Sequence, residues 1–137
     1  MTIRRVIVDH VLVVSDFEAN RRFFTSALAP LGFEELHVQS DGVHYGADGL
    51  DDFAIYVGKP VSTAAHVAFA AAGRKVDAFV EAAVANGGRE KGAPGVWTQY
   101  SDRYYAAFVA DPDDNNVEAV SHSPVPISDA PQRGGVP

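Results

Sequence analysis

The chain has no cysteine, one methionine and one tryptophan. Without thiols there can be no disulfide, no thiolate nucleophile and no sulfur-based zinc site, so any metal must be held by imidazole and carboxylate. Cations are scarce too: 11 Lys and Arg face 18 Asp and Glu, a formal charge of -7. That balance disfavours a general affinity for phosphate backbones or anionic lipid, and predicts a partner that is neither nucleic acid nor membrane. No apolar run approaches the ~18 residues of a membrane span. The opening MTIRRVIVDHVLVVS is broken by Asp9 and His10 and lacks a small-residue cleavage site, so it reads as a strand. A cytoplasmic protein is expected. At 137 residues the chain fits one domain.

What is present is a duplication. Shifted by 56 positions, His10 falls on His66, Phe23 on Phe79, Ala27 on Ala83 and Gly32 on Gly88. Each half opens with a β-branched stretch, Val6 to Val14 or His66 to Ala70. A helix-period segment follows, carrying Phe24, Leu28 and Leu31 in the first half and Val76, Phe79, Val80, Ala83 and Val84 in the second. Asp16 is the expected N-cap of the first helix, and Gly32 and Asn86 to Gly88 are the stops. Three strand-like pieces come next in each half: 35–39, 43–46 and 53–57, then 95–100, 104–110 and 117–121. Asp41-Gly42 and Asp48-Gly49 are the turns of the first set.

The predicted class is α+β, two βαβββ modules at about 6–58 and 64–122 within one domain spanning 1–123. Residues 124–137, with four prolines and a Gly-Gly pair, are expected to lack regular structure.

Side chains alternate between the faces of a strand. If Val11 and Val13, like Val67 and Phe69, cover the helices, then His10 and His66 point to the helix-free side. Aligning DDFAIYV with DNNVEAV sets Ile55 against Glu118, an acid inside an apolar strand whose unpaired burial would be costly. His10, His66 and Glu118 then make a two-histidine, one-carboxylate set suited to Fe, Mn, Zn, Ni or Co. Taken singly, each has an ordinary reading as a hydrogen-bonded or solvent-facing residue. Tyr45, Tyr56, Trp97, Tyr100, Tyr104, Tyr105 and Phe108 are candidate pocket walls or plain core, and His37 or His44 a candidate acid or base. Arg103 beside Asp102 could meet an anion, and reads equally as a solvated pair. Asp111, Asp113 and Asp114 lack calcium-loop spacing and read as turn chemistry.

The stretches DHVLVVSDFEANRRFF, LAPLGFEE, HVAFAAAGRKVDAF and above all YYAAFVADPDDNNVEAV resemble the vicinal oxygen chelate superfamily, the glyoxalase/bleomycin-resistance/extradiol-dioxygenase group. The resemblance runs from about Val6 to Val120. It implies an eight-stranded open cup around a divalent metal, commonly a homodimer, with His10, His66 and Glu118 at the ligand positions. Ile55 stands where glyoxalase I enzymes have a fourth ligand, and Asp114 replaces the usual turn glycine, which a left-handed Asp tolerates. The implied function is a metal-dependent glyoxalase/dioxygenase-type enzyme acting on a small chelating substrate. The alternative is a metal-free drug- or metabolite-sequestering protein.

Overall fold

Helix formation in the first half starts at Asp16, whose carboxylate accepts the Ala19 N–H at 2.9 Å from an extended backbone. This is the N-cap the sequence predicts, and α1 runs Phe17–Leu28. A 3-10 turn over Ala29–Leu31 ends at Gly32, φ +91°, a conformation that costs other residues dearly. The computed structural model describes residues 10–122 and 130–133.

The first module comprises β1 (His10–Val14), α1, β2 (Glu34–Val38), β3 (Gly42–Ala47) and β4 (Leu50–Val57). The second comprises β5 (His66–Ala70), α2 (Lys75–Ala85), β6 (Arg89–Trp97), β7 (Tyr104–Ala110) and β8 (Asn116–His122). The order β-α-β-β-β therefore occurs twice. One sheet runs β1-β4-β3-β2; the other runs β5-β8-β7-β6 with a ninth strand at its edge. Within each module the first strand lies parallel to the last and the remaining neighbours are antiparallel. The β3–β4 connection is Asp48-Gly49 with both φ positive (+56° and +74°), the two-residue turn that suits a right-twisted hairpin. The expected strand from Val6 falls partly among residues 6–9, outside the described residues.

Two expectations are corrected. Residues 132–133 of the C-terminal segment form β9, parallel to Val96–Trp97, with the Arg133 guanidinium donating to the Pro94 carbonyl. An edge strand with unpaired amides is a template for such pairing. Secondly, β6 begins at Arg89 rather than Gly95, because register shifts around Gly92 and Pro94 let the ladder pass residues that usually interrupt one. The stretch from Glu90 is thus mostly strand.

One continuous core joins the modules. Phe24 of α1 packs on Phe53 of β4 at 5.0 Å between ring centroids, and Phe53 meets Phe69 of β5 edge-on at 5.1 Å. Phe23 lodges over Gly88, where a Cβ would lie 2.5 Å from its ring and 2.7 Å from Val109. The turn after β7 adds a polar clamp. Asp113 accepts hydrogen bonds from Ser15 N–H and Oγ and from the Asn20 amide, holding the start of α1 to the second module.

Candidate functional site

The covered face of each sheet is identified by the core. In the second sheet Val67, Phe69, Tyr105, Ala107, Val109, Val117 and Ala119 belong to it. His66, Glu118, Tyr104, Ala106 and Phe108 alternate with these and occupy the helix-free face, where Trp97, Ala106, Phe108 and Val120 form a second small apolar cluster.

Two of the three expected donors meet on that face. His66 Nε2 lies 2.7 Å from Glu118 Oε1, although the residues are 52 positions apart. Parallel pairing of β5 with β8 sets Ala68 beside Glu118, and the small side chain leaves room for His66 to reach the carboxylate diagonally. The Tyr104 hydroxyl donates to the other oxygen, Oε2. Glu118 is 1% exposed, whereas the His66 side chain is 51% exposed. A buried carboxylate is tolerable here because each oxygen has a donor. Burial and the hydrogen bond to Glu118 together push the Tyr104 phenol up from its ordinary pKa, so it stays protonated and donating. With Glu118 ionised, the neutral His66 ring carries its proton on Nε2, leaving Nδ1 as the atom that can accept one.

His10 does not join them. It pairs with Phe53 and stacks on that ring at 6.3 Å, so it shares a face with Leu12, Val14 and Ile55, the residues of β1 and β4 that belong to the core. The expected phase of β1 is inverted: Leu12 and Val14 are buried, and Val11 is 52% exposed. Ile55 is buried on the same covered face, so the pairing of Ile55 with Glu118 fails as well. Among the described residues no group of three or more His, Asp or Glu side chains is placed to hold a metal. His66 and Glu118 alone fall short of the three protein ligands a divalent ion of this kind ordinarily needs, and the expected trio does not fit a single centre.

Other candidates sort cleanly. Tyr45 is core, its hydroxyl 2.8 Å from Thr25 Oγ1. Tyr105 faces α2 and donates to Asp77. Trp97 packs edge-on against Phe108 at 5.1 Å, and the Tyr100 ring lies tilted against Tyr104 at 4.7 Å. Arg103 is exposed, 4.0 Å from Asp102, a pair of little energetic weight. Asp111 is buried and accepts from the Asp113 and Asn115 backbone N–H groups, the turn role expected, and burial raises its pKa. On the first sheet, His44 lies between Asp51 and Tyr56, with the His37 ring 6.0 Å away. The hydroxyl partnership of Tyr104 with Glu118 escaped the sequence reading; the signal was the alternation that puts Tyr104, Ala106 and Phe108 on one face. A shallow surface hollow of about 350 Å³ lies elsewhere, along α1, lined by Arg21, Arg22, Thr25 and Glu35 among others.

The chain has the glyoxalase/dioxygenase-like fold, and its neighbours among solved structures are proteins of the vicinal oxygen chelate superfamily. Neither the protein-family models nor the curated proteins contain a match. Solved structures do. A glyoxalase/bleomycin resistance protein from Albidiferax ferrireducens is 26% identical, with a TM-score of 0.71 over 85% of this chain and 99% of that one. A glyoxalase-related enzyme from Fulvimarina pelagi is 24% identical at a TM-score of 0.63, covering 89% and 92%. The fosfomycin resistance protein FosX from Listeria monocytogenes, in complex with Mn(II) and sulfate, is 21% identical at a TM-score of 0.60, covering 89% and 94%.

Proposed function

We propose that the chain is a small-molecule-binding protein of the glyoxalase/bleomycin-resistance type, with its working centre on the helix-free face of the second sheet. The observation that carries this is the buried Glu118 carboxylate, held by Tyr104 and by the half-exposed His66. Such a triad is a fixed proton-handling anchor: Glu118 orients the imidazole, and Nδ1 of His66 accepts a proton from, or a hydrogen bond by, an oxygen-bearing ligand. Trp97 and Phe108 supply an apolar flank. In this reading the site works without a resident metal, the sequestering alternative of the sequence reading.

A second reading keeps the metal. It is favoured by the convergence of His66 and Glu118, two of the three expected ligands, and by the Mn(II) in the FosX structure. A divalent ion there would supply Lewis-acid stabilisation of a ligand oxyanion. His10 would have to leave the covered face to join it, or another group replace it.

Trp97, the single tryptophan, is a built-in reporter. Chelator-stripped protein is titrated with catechol, the glutathione–methylglyoxal adduct, fosfomycin and bleomycin while its fluorescence is followed. The account predicts a saturable response to at least one probe without metal, weakened about tenfold or more in Glu118→Gln, on the scale of losing a charge-assisted hydrogen-bonding anchor. Silence toward all four, or indifference to the substitution, contradicts it. Stoichiometric Mn(II) binding that is lost in both His10→Ala and His66→Ala overturns the metal-free reading in favour of the three-ligand centre.

A further inference from the structure

The helix-free face of the first sheet holds a second set of polar side chains, and three separate features of the backbone converge on it. Pairs Gly42↔Tyr56, Val43↔Ile55, His44↔Ala54 and Tyr45↔Phe53 follow one register, and Gly46↔Asp51 follows another, so Asp52 is an extra residue in β4. That bulge moves Asp51 onto the face of His44, which an unbroken strand would have denied it. Asp51 Oδ2 then lies 2.8 Å from His44 Nδ1. The Tyr56 ring lies across Gly42, where a Cβ would come within 2.5 Å of two ring carbons; any other residue would lift the ring away. Ala54, directly opposite His44, is small enough to let the phenol reach the imidazole, and the Tyr56 hydroxyl hydrogen-bonds His44 Nε2.

The chemistry of this arrangement is directional. Hydrogen bonding from its own backbone and from His44 holds the Asp51 carboxyl below its usual range, so it is ionised near neutral pH. Facing a carboxylate, the neutral imidazole carries its proton on Nδ1, and Nε2 is the acceptor for the phenol proton. Asp51 orients, His44 accepts, and Tyr56 presents its oxygen to whatever approaches. The His37 ring packs edge-on against His44 at 6.0 Å.

We propose that Asp51, His44 and Tyr56 form a proton relay, a second ligand site whose contact atom is the Tyr56 oxygen. It suits a small uncharged molecule bearing an acidic hydroxyl, or a C–H bond beside a carbonyl; an anion would meet the Asp51 charge. In the step it performs, the phenol proton passes to His44 Nε2 as the phenol oxygen takes the ligand's proton. The ligand becomes an oxyanion or enolate and His44 an imidazolium beside Asp51. Reversal restores every group, and no oxidant, reductant or metal is consumed. The site shares no residue with the His66–Glu118 centre and stands or falls separately from it.

The same activation makes Tyr56 a nucleophile toward an acyl donor, which provides the test. The full-length protein is treated with N-acetylimidazole, and acetylation of each tyrosine is followed by peptide mass spectrometry. In that reaction the phenol oxygen takes the acetyl group, its proton moves through His44, and imidazole leaves with a proton. Tyr100, 51% exposed, is the internal reference. Tyr56, although half-buried, should react about tenfold faster than Tyr100, within the range for a positioned base. In Asp51→Asn and in His44→Gln the Tyr56 rate should fall to that of Tyr100 or below, with Tyr100 and the melting temperature unchanged in at least one of them. A Tyr56 rate no greater than that of Tyr100 in the wild type, or an excess that survives both substitutions, overturns the proposal.

Discussion

Glu118 illustrates how a single side chain can be expensive and still retained. A 1% exposed carboxylate without partners would be among the costliest groups a small domain could bury, and its two oxygens are taken by His66 and Tyr104. Replacing Tyr104 with Phe leaves one oxygen without its donor while preserving the ring's contact with Tyr100. Urea unfolding should show a loss of about 1.5–3 kcal/mol for Tyr104→Phe, the range for hydrogen bonds to charged groups. An unchanged midpoint would mean that the phenol does not support the carboxylate. Asp114 gives the milder lesson: it holds φ +65° in the turn between β7 and β8, and Arg89 pairs with it at 2.8 Å. The turn survives as expected, because short polar side chains tolerate that region.

Among the elements, α1 is tied to its surroundings by several polar links, two of which carry predictions. The first is Arg21 with Glu35 of β2, a bidentate pair at 2.8 and 2.9 Å, joined by the Thr25 hydroxyl. Arg21 chiefly, then Thr25, holds the Glu35 carboxyl below its ordinary range. A carboxyl depressed in the folded state stabilises above its unfolded pKa and loses that contribution as pH falls through the folded value. The melting temperature of wild type should therefore exceed that of Glu35→Gln at neutral pH, and the gap should close as the solution is acidified below the usual Glu range. A gap that widens in acid would contradict the pairing. The second link is Asp113, and Asp113→Ala should cost about 1–2 kcal/mol in chemical unfolding, comparable to losing a helix cap. A neutral result would show that the two modules do not depend on this clamp.

The strands and helices were not equally legible in the sequence. The N-cap at Asp16, the stop at Gly32, the Asp48-Gly49 turn and strand β7 all fall where residue chemistry placed them, since each depends on local conformation alone. The repeat also holds in the helices, where buried positions 20, 23, 24 and 27 match 76, 79, 80 and 83 at a spacing of 56. In the opening strands it slips: the core-facing residues are 12 and 14 in one and 67 and 69 in the other, a spacing of 55. A helix absorbs a one-residue offset by rotating about 100°, whereas a strand turns every side chain to the other face. Identity of the two histidines in sequence therefore misjudged the orientation of His10. Both 11–14 of β1 and 53–57 of β4 are apolar on successive residues, so alternation offered no check.

At the scale of the molecule, the modules share one core through the Phe24–Phe53–Phe69 chain of rings. Phe53→Ala should lower global stability by about 3–5 kcal/mol and do so in a single transition, because the cavity would open between the modules. Two separated transitions would mean that the halves melt independently. The fold-level resemblance was readable from the closing motif and is borne out by the solved structures. The site was readable only by halves: the pairing of β5 with β8 delivers His66 to Glu118, and the phase of β1 takes His10 elsewhere.

Everything proposed for this face turns on Glu118 holding the His66 imidazole by Nε2. Nitrogen-15 NMR of the histidine rings reads that bond. In the neutral ring His66 should carry its proton on Nε2, with Nδ1 bare, and Glu118→Gln should disturb the His66 nitrogens while leaving those of His10 in place. A His66 ring protonated on Nδ1, or one indifferent to that substitution, would contradict the account.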